Sequence, residues 1–390
     1  MKKTAVLNTL VTFFFLILFG KTIVAQSNSP VTIIKNVNVF TGNEYVENVN
    51  VVFDEKSILS ISSDIDDYKD ATVIDGTNKT IIPPLVNAHV HVWSPAALKE
   101  SLQAGIFANL DMHTTDESAN LLRAYNDSLG YSKYFSSNAA ATVPNGHGTQ
   151  FGIPVPTIND EVSPEQFVQD RLDANADYIK VIREPIMSTL SKQQSLKVIQ
   201  AAHKSNVLAV GHSHILDESI TLAEQGIDGL VHIWIDKKAD KETLSAMKDG
   251  KMFMAPTILV TDALLKLRKN AGRSESDLST EEVLQEIKKA HDAGIPILAA
   301  TDSPNMQFNF SDQLFDEMDL IKKAGLSNIE VLKSTTTNTY TAFSLDGFTE
   351  LKKGSLPNFV LVEGNPVTEL NDIRNKKMVY QNGKLVFGGS

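Results

Sequence analysis

The chain contains no cysteine among its 390 residues. This absence excludes disulfide bonds, thiolate metal ligands, a cysteine nucleophile and a lipid-modified cysteine. Without disulfides, a protein of this size depends on its apolar core for stability. With 42% apolar residues, the composition is sufficient for one large domain or two smaller ones.

Basic residues are fewer than acidic ones, 36 against 47, so the formal net charge is −11. An acidic chain of this kind is a poor partner for nucleic acid. The sequence also has neither a glycine-rich phosphate-binding loop nor a serine nucleophile elbow, so kinase and serine-hydrolase functions have no support. We expect a small-molecule substrate, and a homo-oligomer is compatible with the sequence.

Long apolar runs are absent outside residues 1–25, which resemble a secretory signal peptide. Two lysines open this segment, residues 11–19 are almost wholly apolar, and Ala25 precedes Gln26. The apolar run is shorter than the ~20 residues that span a bilayer. We therefore predict cleavage after Ala25, no stable membrane anchor, and export to the bacterial periplasm or exterior; an uncleaved anchor is the alternative.

Short apolar runs alternate with helical patterns through the middle of the chain. Eight runs are candidate strands: 85–91, 105–112, 134–141, 177–182, 207–212, 229–234, 252–259 and 296–301. A helix is expected over residues 279–293, where Ser279 and Glu282 form a capping-box pattern. Eight strand–helix units predict an α/β fold with a (β/α)8 TIM-type barrel over residues 84–347.

Extended segments flank the predicted barrel on both sides. Three precede it and two follow it, at residues 31–40, 49–61, 71–82, 358–362 and 378–387. The last of these contains Asn382 and Gly383, a hairpin signal. We predict that residues 26–83 and 348–390 together form one small β-sandwich built from both ends of the chain.

Residues of metal-ligand type recur at the ends of the candidate strands or within them. His89 and His91 are two residues apart, so in a strand both side chains project to the same side. In a barrel of this type the chemistry gathers at the C-terminal ends of the strands. Imidazole nitrogen and carboxylate oxygen are both zinc ligands. The candidate ligands are His89, His91, Lys180, His212, His232 and Asp302.

Lys180 lies inside an apolar run, where a cation is costly unless it is paired or neutralised. One interpretation is a buried lysine paired with an acid. The other is carboxylation by carbon dioxide, which converts the amine into an anionic carbamate whose two oxygens can bridge two metals. For Asp302 alone, the alternative to a metal ligand is a helix N-cap.

Five segments together resemble successive signatures of the amidohydrolase superfamily, and in particular its imidazolonepropionase-like and Xaa-Pro or Xaa-Arg dipeptidase-like members. They are 83–91 (PPLVNAHVH), 177–180 (DYIK), 211–214 (GHSH), 231–232 (VH) and 300–303 (ATDS). The chain departs from the usual family pattern at Pro84 and Val86, and Asn87 and Asn358 stand where the family usually has aspartate. Asn87 removes a carboxylate beside the first histidine pair, which is expected to alter metal affinity.

The resemblance implies a binuclear zinc centre and hydrolysis of a C–N amide bond in a dipeptide, an N-acyl amino acid or a cyclic amide. By analogy, His89 and His91 hold one metal, and His212 and His232 hold the other. The Lys180 carbamate bridges them. Asp302 binds the first metal and acts as the catalytic base for a water that the metals acidify.

The remaining histidines divide between the site and the scaffold. His147 resembles a substrate-contacting loop residue of the family, with an ordinary surface loop as the alternative. His214 is expected either to orient substrate or to begin the next helix. His113 is expected to be structural or to support a ligand, and His203 and His291 to be ordinary helix residues.

Two other functions remain open at this level. A lactonase or phosphotriesterase would use the same metal centre, and a non-catalytic barrel would bind a ligand while retaining the metal-ligand residues. The complete ligand set favours the amidohydrolase.

Overall fold

The computed structural model describes residues 30–66, 68–272, 277–345 and 347–388. The predicted signal peptide lies outside these residues. The strands are β1 (Thr32–Phe40), β2 (Tyr45–Phe53), β3 (Ile58–Ser62), β4 (Thr72–Asp75), β5 (Lys79–Ile82), β6 (Leu85–Val90), β7 (Ile106–Asp111), β8 (Lys133–Ser136), β9 (Ile179–Ile182), β10 (Ala209–His212), β11 (Gly229–Val231), β12 (Phe253–Ala255), β13 (Phe359–Glu363), β14 (Lys377–Gln381) and β15 (Lys384–Phe387).

Helices follow most of the central strands. They are α1 (Pro95–Gln103), α2 (Asp116–Arg123), α3 (Pro164–Asp173), α4 (Lys192–Lys204), α5 (Leu216–Glu224), α6 (Lys241–Asp249), α7 (Ile258–Asn270), α8 (Thr280–Asp292), α9 (Asp312–Lys323), α10 (Asn328–Ser334) and α11 (Thr337–Phe343). Helix α8 begins as predicted, because Ser279 and Glu282 form the reciprocal capping box. None of the helices in the described ranges combines the length and the apolar character needed to cross a membrane.

Strands from both ends of the chain share one sheet. Its order is β15-β14-β13-β5-β1-β2-β3, and β4 pairs with β1. The antiparallel pairing of β5 with β13, which sets Ile82 against Val360, joins the N-terminal part to the C-terminal part. The sequence predicted that strands from both ends of the chain come together. The packing of these strands as a sandwich of two facing sheets, and the domain limits, stay predictions.

Two of the flanking segments are interrupted where single runs were expected. The expected run 49–61 is two antiparallel strands, β2 and β3, because the Asp54 carboxylate accepts hydrogen bonds from the amides of Lys56 and Ser57 and closes a turn. The run 71–82 divides into β4 and β5. The β14–β15 hairpin is confirmed: Asn382 and Gly383 both have positive φ, as its two-residue turn requires.

The central strands form two parallel sheets, ordered β6-β7-β8 and β12-β11-β10-β9. Their side chains are almost all buried, as expected for parallel strands covered on both faces. Several are shorter than predicted. Residues 256–259, for example, leave β12 and enter α7, since Thr257 adopts a left-handed conformation with φ 47°.

The eighth predicted strand, 296–301, is not a regular strand. Its backbone instead makes single parallel bridges, from Ile297 to Met254 of β12 and from Ser303 to Val90 of β6. A further bridge links Ala141, beyond β8, to Val181 of β9. These bridges connect the two parallel sheets and bring the segment that precedes Asp302 beside β6.

Candidate metal centre and active site

Parallel pairing gathers the predicted ligands at one end of the central strands. In the parallel pairing of β10 with β11, His212 lies opposite Val231. His232 is the next residue after Val231, so it lies close to His212. Lys180 of β9 pairs with Val210 of β10. The predicted ligands other than His91 are buried to at least 95%. All six therefore lie in one region.

The first group consists of His89, His91 and Asp302. Asp302 Oδ1 lies 3.1 Å from His89 Nε2 and 3.0 Å from His91 Nε2, and the two Nε2 atoms are 3.3 Å apart. The side-chain amide of Asn305 donates a hydrogen bond to the same oxygen at 3.0 Å. Three ligand atoms thus converge on one point.

The hydrogen bond of His91 Nδ1 favours a cation at this point. Its Nδ1 lies 3.2 Å from the carbonyl oxygen of His113, which can only accept, so Nδ1 carries the proton. In the neutral ring, Nε2 then presents a lone pair to the Asp302 carboxylate 3.0 Å away. A metal ion between the two groups removes this repulsion, and hence the residues fit a metal.

The second group contains His212 and His232, whose ring centroids are 4.4 Å apart. His232 Nδ1 lies 2.7 Å from Thr257 Oγ1, and that hydroxyl donates its own proton to the carbonyl of Pro256. His232 Nδ1 is therefore the donor, which leaves Nε2 with a lone pair. Neither ring nitrogen of His212 has a hydrogen-bond partner within the described residues. Buried unpartnered nitrogens of this kind are what a metal would satisfy.

Burial sets the charge of these imidazoles. It lowers the pKa of His89 to about 3, and it places the pKa values of His212 and His232 well below their usual range. The rings are thus neutral at pH 7, the form in which histidine binds metal. For Asp302, burial acts to raise the carboxyl pKa, whereas positive charge at the positions of His89 and His91 lowers it to well below its usual range. With the rings neutral, this positive charge is what a bound metal ion would supply.

Lys180 is 3% exposed, and its Nζ lies 3.4 Å from His89 Nε2. Burial is the main cause that lowers its pKa to about 8. In the part of the chain that the structure describes, no carboxylate forms an ion pair with it. The interpretation of a lysine paired with an acid is therefore not supported.

Glu184 is a residue of this site that the sequence analysis did not select. Its carboxylate accepts hydrogen bonds from the backbone amide of His214 at 3.0 Å and from its Nδ1 at 3.1 Å, and it lies 3.7 Å from His212 Nε2. Glu184, His212 and His214 form a second set of clustered ligand atoms, beside that of His89, His232 and Asp302. Its position just after β9 was the signal that could have identified it.

The other histidines fall into the two expected classes. The ring of His147 is tilted against that of His212, with centroids 4.5 Å apart, and His214 stacks on His232 at 4.5 Å, so both line the site. His214 does not begin a helix, because α5 starts two residues later. The ring of His113 lies between the amide of Ala140 and the carbonyl of Gly148, and its own carbonyl oxygen accepts from His91 Nδ1, so it fits both expected roles.

His203 and His291 lie on helices, as expected. His203 on α4 pairs with Asp228 at 2.8 Å, and His291 on α8 pairs with Glu330 at 3.0 Å.

Three residues at or beside the site have a strained backbone. His232, Thr257 and Asp302 have φ values of 71°, 47° and 59°, in the left-handed region that costs non-glycine residues energy. The surrounding packing holds these conformations. A cavity of about 350 Å³ gives a small molecule access to the cluster, and it is lined by His91, His212, His232, Lys180 and Asp302.

Comparison with known proteins agrees with this geometry. The amidohydrolase family profile matches residues 80–386. No curated protein sequence is significantly similar to the chain. An Xaa-Pro dipeptidase with methionine bound in its active site superposes with a TM-score of 0.75 at 18% identity, over 92% of this chain and 100% of the other.

Two further solved structures have the same fold. A. niger ochratoxinase has a TM-score of 0.75 at 19% identity, over 92% of this chain and 96% of the other. Molinate hydrolase has a TM-score of 0.76 at 15% identity, over 92% and 94%. The family implies a TIM-type barrel and a metal-dependent reaction. The predicted resemblance is thus confirmed, and the chain belongs to the amidohydrolase family, as a hydrolase acting on carbon–nitrogen amide bonds.

Proposed function

We propose that this enzyme hydrolyses the C–N bond of small amides with two divalent metal ions, zinc being the expected metal. The carrying observation is the convergence of three ligand atoms, His89 Nε2, His91 Nε2 and Asp302 Oδ1, within 3.3 Å of one another. Dipeptides, N-acyl amino acids and cyclic amides are the substrate classes. The fold shared with an Xaa-Pro dipeptidase and an ochratoxinase supports this choice.

The ligand assignment follows the two groups of side chains. His89, His91 and Asp302 would hold one ion, and His212 and His232 the other. Glu184 lies close enough to His212 to serve as an additional ligand. Bound ions of this type acidify a water and polarise the substrate carbonyl.

Lys180 is proposed to carry a carbamate that bridges the two ions. Its support is geometric: Nζ is buried, unpaired with acid in the described structure, and 3.4 Å from His89 Nε2. A neutral amine adds to carbon dioxide with loss of one proton, and burial favours the neutral amine. The anionic product would replace a buried cation among neutral ligands.

Asp302 is proposed as the catalytic base. In the reaction, its carboxylate takes one proton from the attacking water and returns it to the nitrogen of the leaving amine. The carbonyl carbon gains a C–O bond and loses its C–N bond. His147 and His214 line the cavity and would orient the substrate, with Glu184 fixing the ring of His214.

The architecture proposed around this site is a closed (β/α)8 barrel over residues 84–347. The single bridges at Ile297, Ser303 and Ala141 support closure between the two parallel sheets. We also propose that the two flanking parts fold as a small sandwich, and that residues 1–25 direct export to the periplasm or exterior.

The decisive experiment combines metal analysis with a Lys180→Ala variant. We expect about two zinc ions per chain in enzyme prepared with zinc and bicarbonate. The variant should lose metal and at least ~10²-fold in kcat/KM, as expected when ligands of a metal centre are removed. Lys204→Ala, on the exposed end of α4, is the matched control. Metal-free enzyme with full activity would refute the proposal.

A further inference from the structure

Two buried acids that are not among the proposed metal ligands bind the backbone around the site. Asp111 is the last residue of β7, Glu317 lies on α9, and both are 0% exposed. Each carboxyl group accepts hydrogen bonds from two backbone amides, which offsets the cost of burying it. Neither acid has a part in the proposed reaction, so their placement needs another explanation.

Asp111 holds the backbone on both sides of the contact that orients His91. Its Oδ2 accepts from the amide of Val92 at 2.6 Å, and its Oδ1 accepts from the amide of His113 at 3.0 Å. Val92 directly follows His91, and the carbonyl oxygen of His113 lies 3.2 Å from His91 Nδ1. One carboxyl group therefore joins the residue after the ligand to the residue that accepts from the ligand's ring. This fixes the direction in which His91 Nε2 points.

Glu317 stands in a similar relation to His232, through the first turn of α7. Within the described structure the side chain of Thr257, at the N-cap of this helix, makes no capping hydrogen bond, and its hydroxyl lies 2.7 Å from His232 Nδ1 instead. Glu317 takes over the capping, since it accepts from the amides of Ile258 at 2.8 Å and Leu259 at 2.9 Å. It thus holds the helix end next to the strained Thr257 and leaves the threonine hydroxyl to His232.

From these contacts we propose that Asp111 and Glu317 are positioning residues, one for each metal ion. Asp111 orients His91 and Glu317 orients His232, in each case by fixing the group that accepts from Nδ1 of the ring. Partners that hold a ligand histidine in this way contribute ~10–100-fold to metal affinity. The inference rests on the proposed function, because it uses the assignment of these two histidines to different ions.

The test is a zinc titration of the metal-free protein in which the affinities of the two sites are measured separately. Asp111→Asn and Glu317→Gln each replace one acceptor oxygen with a nitrogen that cannot accept from a backbone amide. We expect each variant to weaken one of the two ions by ~10-fold or more, and the two variants to weaken different ions. Wild-type affinity for both ions in both variants would overturn the proposal.

A matched control is available in the flanking sheet. Asp54 is 4% exposed and likewise accepts from two backbone amides, those of Lys56 and Ser57. Asp54→Asn should leave both zinc affinities unchanged. An equal loss of zinc affinity in Asp54→Asn and in the two acid variants would show that the effect is general destabilisation, and it would overturn the proposal.

Double variants separate positioning from a purely structural role. Glu317 and Thr257 act on His232 through one pathway, so in a Thr257→Val background Glu317→Gln should lower zinc affinity by less than ~3-fold. Asp111→Asn acts on the other ion and should keep its full effect in that background. An acid needed for folding alone would act equally in both backgrounds, and this result for Glu317→Gln would refute the pathway through Thr257.

A measurement on the wild-type enzyme decides the case in which an acid variant does not fold. Nitrogen NMR of isotopically labelled histidines in the zinc-loaded protein should show His91 and His232 protonated at Nδ1. An unprotonated Nδ1 in either ring would overturn the proposal. Fewer than two zinc ions in the wild type would refute the proposed function and this inference with it, whereas two ions held equally well by both acid variants would refute this inference alone.

Discussion

Replacing Asp302 by asparagine tests whether its carboxylate moves protons. The side chain is 7% exposed, and its Oδ1 faces His89, His91 and Asn305 within 3.1 Å. Asparagine has nearly the same shape, so the fold should persist. The amide oxygen can still lie at the Oδ1 position, but it carries no negative charge and cannot take a proton from water at neutral pH.

The expected loss in Asp302→Asn is ~10²–10⁴-fold in kcat/KM, the usual value of positioned general acid–base catalysis. This corresponds to about 2.7–5.4 kcal/mol of transition-state stabilisation, at 1.36 kcal/mol per factor of ten. The assay is amide hydrolysis from pH 5 to pH 9, with metal content measured in both proteins. Because the pKa of Asp302 lies well below its usual range, the wild-type carboxylate should stay ionised throughout this interval.

Measuring the metal content separates two causes of a loss of activity, namely loss of the base and loss of the bound metal. Asn305→Ala removes a hydrogen bond to the same oxygen without removing the charge, so it serves as the control and should lose less than ~10-fold. An Asp302→Asn enzyme with normal metal content and wild-type turnover would show that Asp302 is no base.

Two further predictions concern residues that support the site. Thr257→Val removes the hydroxyl that accepts a hydrogen bond from His232 and orients its ring. Metal affinity measured in a zinc titration should therefore fall ~10–100-fold. Unchanged affinity would contradict this orienting role of Thr257. Burial raises the pKa of Glu317 to about 8. Between pH 5 and pH 8 the folded state therefore keeps a proton that the unfolded state loses. The free energy of unfolding should fall as pH rises through this interval. Glu317→Gln should flatten this dependence in urea unfolding, and an equally steep loss in both proteins would refute it.

Local patterns predicted the parts of the fold that local physics determines. The capping box at Ser279 and the hairpin at Asn382 formed as expected, because each depends on neighbouring residues alone. The apolar runs also placed His89 and His212 within the last two residues of their strands, whereas His232 lies one residue beyond β11 and not within the predicted strand. These features follow from side-chain chemistry within a few residues.

Other features of the fold and the site depend on tertiary contacts, which local sequence patterns could not predict. The segment before Asp302 looks like a strand, yet its backbone makes single bridges and other bonds, such as that from the Ala299 amide to the Ser334 carbonyl. Glu184 carries no sequence motif, and its role depends on His214 from a neighbouring loop. The hydroxyl of Thr257 reaches His232 across 25 residues of sequence. Pairings of this kind leave no periodic signal.

The union of β5 with β13 has a consequence for how the chain is made. Ile82 pairs with Val360, so the edge of β5 has no partner until nearly the whole polypeptide has been synthesised. Contacts between such distant residues are slow to form, and an unpaired strand edge can meet other chains in the meantime. The N-terminal strands must therefore wait for the C-terminal ones, and premature termination before β13 leaves an aggregation-prone edge.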